Sequence, residues 1–97
     1  MTLTQEETER YARHLSLPEL GEQGQYKLKR AHVALTGLGG LGSPAALYLA
    51  AAGVGRLTLI DPDEVCLSNL QRQILHATDA AGTAKTASAA RRLYALN

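Results

Sequence analysis

Polar residues dominate the first thirty positions, and apolar residues then gather in short runs separated by glycines. Within the polar stretch, Thr4-Gln5-Glu6-Glu7 has the spacing of a capping box: a hydroxyl for an early backbone N–H and a Glu reaching back. A helix is expected from there to Leu15, with Tyr11 and Leu15 on one face. Pro18 and Gly21 mark a break. A second short helix is expected over Glu22 to Arg30, its basic end at the C-terminus, where the helix dipole favours cations. The run "HVALT", His32 to Thr36, is short, partly β-branched and stops at a glycine, which predicts a buried parallel strand. Gly40 to Ala52 is rich in Ala and Leu and predicts a helix. Pro44 suits its first turn, and Gly53 and Gly55 suit its end. Arg56 to Asp61, "RLTLID", predicts a second strand. Strand, glycine turn, helix and strand form a βαβ unit, for which a right-handed crossover is expected.

Beyond Asp61 the chain turns through Pro62 and Asp63. "SNLQRQILH" then predicts a loop and a short helical turn, and Gly82-Thr83 introduce a last helix over Ala84 to Leu96. The fold class is therefore α/β, a Rossmann-like βαβ nucleotide-binding unit preceded by helices. Residues 1–30 form the N-terminal helical segment, and residues 31–97 the first part of the nucleotide-binding domain. Two strands leave a parallel sheet incomplete, and such sheets are normally covered on both faces. The expectation is a fragment of a larger protein, or an assembly that completes the sheet between chains.

Composition narrows the picture. In 97 residues, 45% are hydrophobic, enough for one small core and too many for a disordered chain. There is no Phe or Trp, so that core must come mostly from Leu, Ala, Val and Ile. A net charge of +1 argues against a surface for nucleic acid. The single cysteine, Cys66, has no intramolecular disulfide partner and fits a reducing compartment. Its expected place is that of a small, partly buried residue. The N-terminus lacks the apolar core of a signal peptide, and Leu41 to Val54 is too short and interrupted to span a bilayer. A cytoplasmic protein with no membrane association is the expectation.

The chemistry begins at "GLGGLG", Gly37 to Gly42. A strand, G-x-G-x-x-G and a helix turn backbone N–H groups towards a phosphate. Gly37 permits the turn, Gly39 and Gly40 let the backbone approach the ligand, and Gly42 allows close packing. Asp61 stands roughly 20 residues on, where an acid accepts hydrogen bonds from a ribose. The glycines alone do not choose between NAD and ATP. Arg72 and Lys85 favour an enzyme that splits a triphosphate, because cations stabilise the charge that builds on the phosphates. Each taken singly also fits a solvated surface.

Several segments together resemble the N-terminal part of the ThiF/MoeB adenylyltransferases, relatives of the ubiquitin-activating enzymes. They are "RYARHLSLPELG" (Arg10 to Gly21), "GLGGLG", "AAGVGRLTLIDPDEV" (Ala51 to Val65), "SNLQRQILH" (Ser68 to His76) and "GTAK" (Gly82 to Lys85). The resemblance implies ATP- and Mg²⁺-dependent adenylation of the C-terminal glycine of a ubiquitin-like sulfur carrier, of the molybdopterin or thiamine type. It implies that Gly40 approaches the phosphates and Asp61 holds the ribose. Ser68, Asn69, Leu70, Gln71 and Arg72 would line the nucleotide site, Lys85 would bind phosphate, and Asp63 is a further candidate. It also implies a homodimer in which Arg13 is passed into the neighbour's ATP site, making Arg13, Arg72 and Lys85 the candidate catalytic residues. The ligand for Mg²⁺ and any zinc site are expected outside these residues, so the isolated chain is expected to be inactive. His76 matches the family pattern and is expected to be structural. Two other classes stay open: an NAD-dependent oxidoreductase domain, and a non-catalytic module that dimerises or binds nucleotide.

Overall fold

The computed structural model describes residues 2–97. Thr4 caps α1 (Gln5–Arg10) with both bonds of the capping box in place. The helix does not continue to Leu15 as the periodicity suggested. It breaks at Tyr11 (φ −104°, ψ 19°) and resumes as the single turn α2 (Ala12–Leu15). The reason is tertiary. The Tyr11 side chain turns inward, 8% exposed, to lie against Gly53, and its hydroxyl accepts from Asn97 Nδ2 at 2.7 Å.

The next helix, α3 (Gly21–Arg30), carries Gln25, which is fully buried. Gln25 Oε1 meets His14 Nδ1 at 2.8 Å, and its Nε2 donates to the Ala52 carbonyl at 2.8 Å. Gly53 ends the central helix with φ +99°, and a Cβ there would fall 2.5 Å from Gln25 Nε2 and 2.8 Å from the Tyr11 hydroxyl. Its bare backbone thus both ends one helix and seats the N-terminal helices.

The βαβ unit follows as β1 (His32–Thr36), α4 (Gly42–Ala52) and β2 (Arg56–Ile60). The strands pair in parallel, His32 opposite Arg56 through Thr36 opposite Ile60. After an isolated antiparallel bridge between Glu64 and Ala84, α5 (Lys85–Leu96) packs beside α4 and β2. Leu38, Ala46, Ala50, Leu75, Ala89 and Leu93 form the core, with Leu35, Leu47, Leu57 and Leu59 packed against it. The alanines where α4 and α5 face each other let the helix backbones come close, which gives a chain without Phe or Trp a dense interior.

The strands are not buried on both faces. His32, Ala34, Thr36, Arg56, Thr58 and Ile60 alternate outward and are exposed, because both flanking helices lie on the other side. Cys66 also departs from expectation: it is exposed, ahead of the 3₁₀ turn Leu67–Asn69. Among the described residues no helix is long and apolar enough to cross a membrane.

Gly42 shows how tightly the turn is drawn. A Cβ there would strike the carbonyl of Gly37, whose carbon would lie only 2.8 Å away. Gly42→Ala should therefore lower stability by about 1–3 kcal/mol, the usual cost of overpacking. Thermal melting measures it, and an unchanged midpoint would mean that the turn yields freely.

Candidate functional site

The carboxyl ends of both strands meet at one point. Gly37 N–H donates to the Ile60 carbonyl at 2.8 Å, closing the ladder, and the chain then turns at Gly37 with φ +91°. Leu38 buries its side chain completely and anchors its backbone at both ends. Its N–H donates to Asp61 Oδ2 at 2.7 Å. Its carbonyl accepts from Ser43 Oγ at 3.2 Å and from His76 Nε2 at 3.0 Å. Helix α4 begins with Ser43 N–H to the Gly39 carbonyl and Ala45 N–H to the Leu41 carbonyl. The N–H groups of Gly39, Gly40, Leu41 and Gly42 donate to no acceptor among the described residues. They form the polar mouth of a helix N-terminus, where an anion is stabilised.

Asp61 closes one side of this mouth. Besides Leu38 N–H, it accepts from Asp63 N–H through Oδ1 at 2.8 Å. Each carboxylate oxygen thus takes one backbone donor and keeps lone-pair capacity for a hydroxyl. Burial is the largest single influence on its acidity and pushes the pKa up. The N–H groups of Leu38 and Asp63, with the positive field of Lys85, outweigh it and hold the carboxyl below its ordinary value. A depressed folded pKa contributes stability that is present above the unfolded value and lost as pH falls through the folded one. Asp61→Asn should therefore flatten the acid limb of the stability curve, below the ordinary carboxylate range. Denaturation midpoints across pH for both proteins test this, and parallel acid limbs would refute it.

Opposite Asp61 stands the segment after the 3₁₀ turn. The Arg72 side chain runs over Gly40, with Cδ and Cγ at 3.9 and 4.0 Å from where a Cβ would sit. Arg72 Nη2 donates to Asn69 Oδ1 at 3.1 Å. With the Gln71 amide oriented to suit its neighbours, Gln71 Oε1 accepts from Arg72 Nη1 at 2.9 Å and its nitrogen donates to the Ser68 carbonyl at 2.8 Å. Neutral amide oxygens therefore aim the guanidinium without cancelling its charge. Ser68 enters through its backbone, and Leu70 is half-buried behind it.

Lys85 is the first residue of α5, tied by its N–H to the Asp63 carbonyl at 3.0 Å. It is not a solvated surface residue. At 6% exposure it is the one formally charged side chain in the buried set, and its ammonium makes no ion pair among the described residues. Its ammonium acts on Asp61 through its field but makes no direct ion pair or hydrogen bond among the described residues, so its donors are free for a bound anion.

Two residues were missed by the sequence reading. Gln73, 5% exposed, lies beneath the glycine loop with its Nε2 3.4 Å from where a Gly39 Cβ would be. Its Oε1 is buried without a hydrogen-bond partner. Ser43 holds the Leu38 carbonyl. The only sequence signal for Gln73 was its place beside Arg72; for Ser43 it was its place just inside α4.

Arg13 is not brought to the site. It is exposed on α2 and lines a cavity with Ala51, at the far end of α4 from Gly42. The intervening helix rises about 14 Å. Among the described residues no group of three or more His, Cys, Asp or Glu side chains is placed to hold a metal ion.

Comparison with known proteins gives this geometry a setting. The model of the ThiF family matches residues 11–97. The adenylyltransferase and sulfurtransferase MOCS3 of Sus scrofa is 59% identical over 95 residues, covering 98% of this chain and 21% of that protein. The probable adenylyltransferase/sulfurtransferase MoeZ of Mycobacterium tuberculosis is 50% identical over 95 residues, covering 98% of this chain and 24% of that protein. The chain thus spans between a fifth and a quarter of the length of these relatives. Among solved structures, the E. coli tRNA N6-threonylcarbamoyladenosine dehydratase TcdA, in complex with ATP, superposes with a TM-score of 0.89 at 36% identity. That match covers all of this chain and 39% of TcdA.

Proposed function

This chain belongs to the ThiF family, and from that premise we propose that it forms the ATP-binding part of an adenylyltransferase acting on the C-terminal glycine of a ubiquitin-like sulfur carrier. The observation that carries the reading is a pairing of charge and geometry. Lys85, buried and without a direct ion pair among the described residues, acts through its charge on Asp61, whose carboxylate holds the Leu38 N–H where the glycine loop begins; its ammonium and the open N–H groups of Gly39 to Gly42 both suit a polyanion. The solved structure of TcdA with ATP and the adenylyltransferase names of MOCS3 and MoeZ support the same ligand.

In this reading Asp61 accepts the ribose hydroxyls, with Asp63 fixing it through the backbone. Gly37 and Gly42 shape the turn, and Gly39 and Gly40 admit the phosphates. Adenylation joins a carboxylate oxygen of the carrier to the α-phosphorus and breaks its bond to the β-phosphate oxygen, so that pyrophosphate leaves. Arg72 and Lys85 meet the charge that grows on the phosphates, and need no reorganisation because Asn69, Gln71 and the helix start already hold them. The Gln73 amide supplies a further polar edge beneath Gly39. Mg²⁺, travelling with ATP, would take its protein ligand from outside the described residues, and any zinc site would also lie outside them. A cytoplasmic homodimer completes the proposal, with Arg13 of one protomer entering the partner's site.

The competing reading, an NAD-dependent oxidoreductase, gives Asp61 the same ribose role. It has no use for two cations at the phosphate end. Calorimetric titration of the intact protein decides between them. ATP should bind more tightly than NAD, and the reverse order would overturn the adenylation reading.

A further inference from the structure

His76 is buried at 6% exposure and touches no part of the mouth itself. Its ring nevertheless spans two elements of the site. Nε2 lies 3.0 Å from the Leu38 carbonyl, and Nδ1 lies 2.8 Å from Ser88 Oγ. A carbonyl oxygen only accepts, so Nε2 carries a proton and donates to it, while Nδ1 is held by its hydrogen bond with the Ser88 hydroxyl. Ser88 is itself buried, on α5, one turn beyond Lys85. The same helix therefore supplies the buried lysine and the hydroxyl that anchors the far side of the imidazole.

What the imidazole holds is a peptide plane. The Leu38 carbonyl belongs to the Leu38–Gly39 peptide, which is trans, as is every peptide bond described. In a trans peptide the C=O and N–H point in opposite directions. Drawing the Leu38 carbonyl inward, towards His76 and Ser43, turns the Gly39 N–H outward to the mouth. Gly39 has no side chain to resist rotation of this peptide. Turned over, the peptide would present a carbonyl oxygen to the phosphates in place of a donor.

We propose that His76, backed by Ser88, is a positioning residue. Through the Leu38 carbonyl it fixes the outward direction of the Gly39 N–H, and so sets the preference of the site for phosphate-bearing ligands. This rests on the nucleotide reading above. It assigns His76 a role beyond filling the core, because its effect falls on phosphates and not on the nucleoside.

The test compares ATP with adenosine by calorimetry on the intact protein, using wild type, His76→Phe and His76→Gln. Phe fills the space but donates nothing; Gln has an amide that reaches the same carbonyl. His76→Phe should lose about tenfold in ATP affinity, the scale of one buried hydrogen bond, with adenosine affinity little changed. His76→Gln should keep the wild-type preference for ATP. An equal loss for ATP and adenosine, or an undiminished ATP preference in a folded His76→Phe, would overturn the inference and leave the nucleotide reading standing. Should His76→Phe fail to fold, a folded His76→Gln that has lost the preference overturns it equally. Wild-type protein that binds ATP no more tightly than adenosine would remove the phosphate reading, and this inference with it.

Discussion

Lys85→Ala in the intact protein should cut adenylate formation by about 2–4 kcal/mol of transition-state stabilisation, or roughly thirty- to a thousandfold in rate. The size follows from where the ammonium stands. It is buried, makes no direct ion pair among the described residues and is placed by the first turn of α5, so it meets phosphate charge without first breaking a contact to a carboxylate. Arg72→Ala should cost a similar amount. Arg72→Lys should recover little of it, since a point charge cannot use the fork that Asn69 and Gln71 orient. Carrier-dependent pyrophosphate exchange measures all three. A wild-type rate in either alanine variant would remove that residue from the chemistry.

Arg13→Ala and Arg72→Ala, each expected to be inactive alone, should restore activity when mixed. Arg13 lies beyond reach of the glycine loop of its own chain, at the other end of α4. Its neighbours on both sides are pinned inward, Tyr11 against Gly53 and His14 on Gln25, which leaves the guanidinium of Arg13 pointing to solvent from a fixed base. A planar guanidinium matches phosphate oxygens in pairs, and an arginine held this way suits delivery into a neighbouring protomer. Mixed dimers would contain one intact site, with Arg13 from one parent and Arg72 from the other. Subunit exchange confirmed by mass with one parent isotope-labelled, and no activity regained, would exclude a role in trans.

The βαβ unit was legible because its signals are local. Gly37, Pro44 and Gly53 punctuate the chain at the points where the backbone changes direction, and alanine and leucine fill the helix between. Asp61 and the glycine loop were legible for the same reason, being defined by spacing from strands. The break at Tyr11 was not, because its cause is a contact with Gly53, far along the chain. The burial of Lys85 was equally hidden: a lysine opening a helix reads as solvated until the fold covers it. Ser43 and Gln73 act through a carbonyl and an unpartnered amide oxygen, and no pattern of side-chain types announces backbone partners. The open outer face of the sheet was anticipated as incompleteness, but the strands themselves were read as buried.

The parallel register also fixes when the site can come into being. Leu38 meets Asp61 only where β1 and β2 run side by side, and that pairing joins residues as distant as His32 and Arg56 across a whole helix. Local helices form faster than such non-local pairs, because a long loop must close before any contact rewards it. The phosphate mouth is therefore a late product of folding, missing from any state in which only the helices have formed. A ligand that binds there recognises the finished molecule alone, and stabilises it by about 2.7 kcal/mol at a hundredfold excess over its dissociation constant. That gain appears chiefly as slower unfolding and leaves the folding rate almost untouched. For this domain, nucleotide would set lifetime more than it sets assembly.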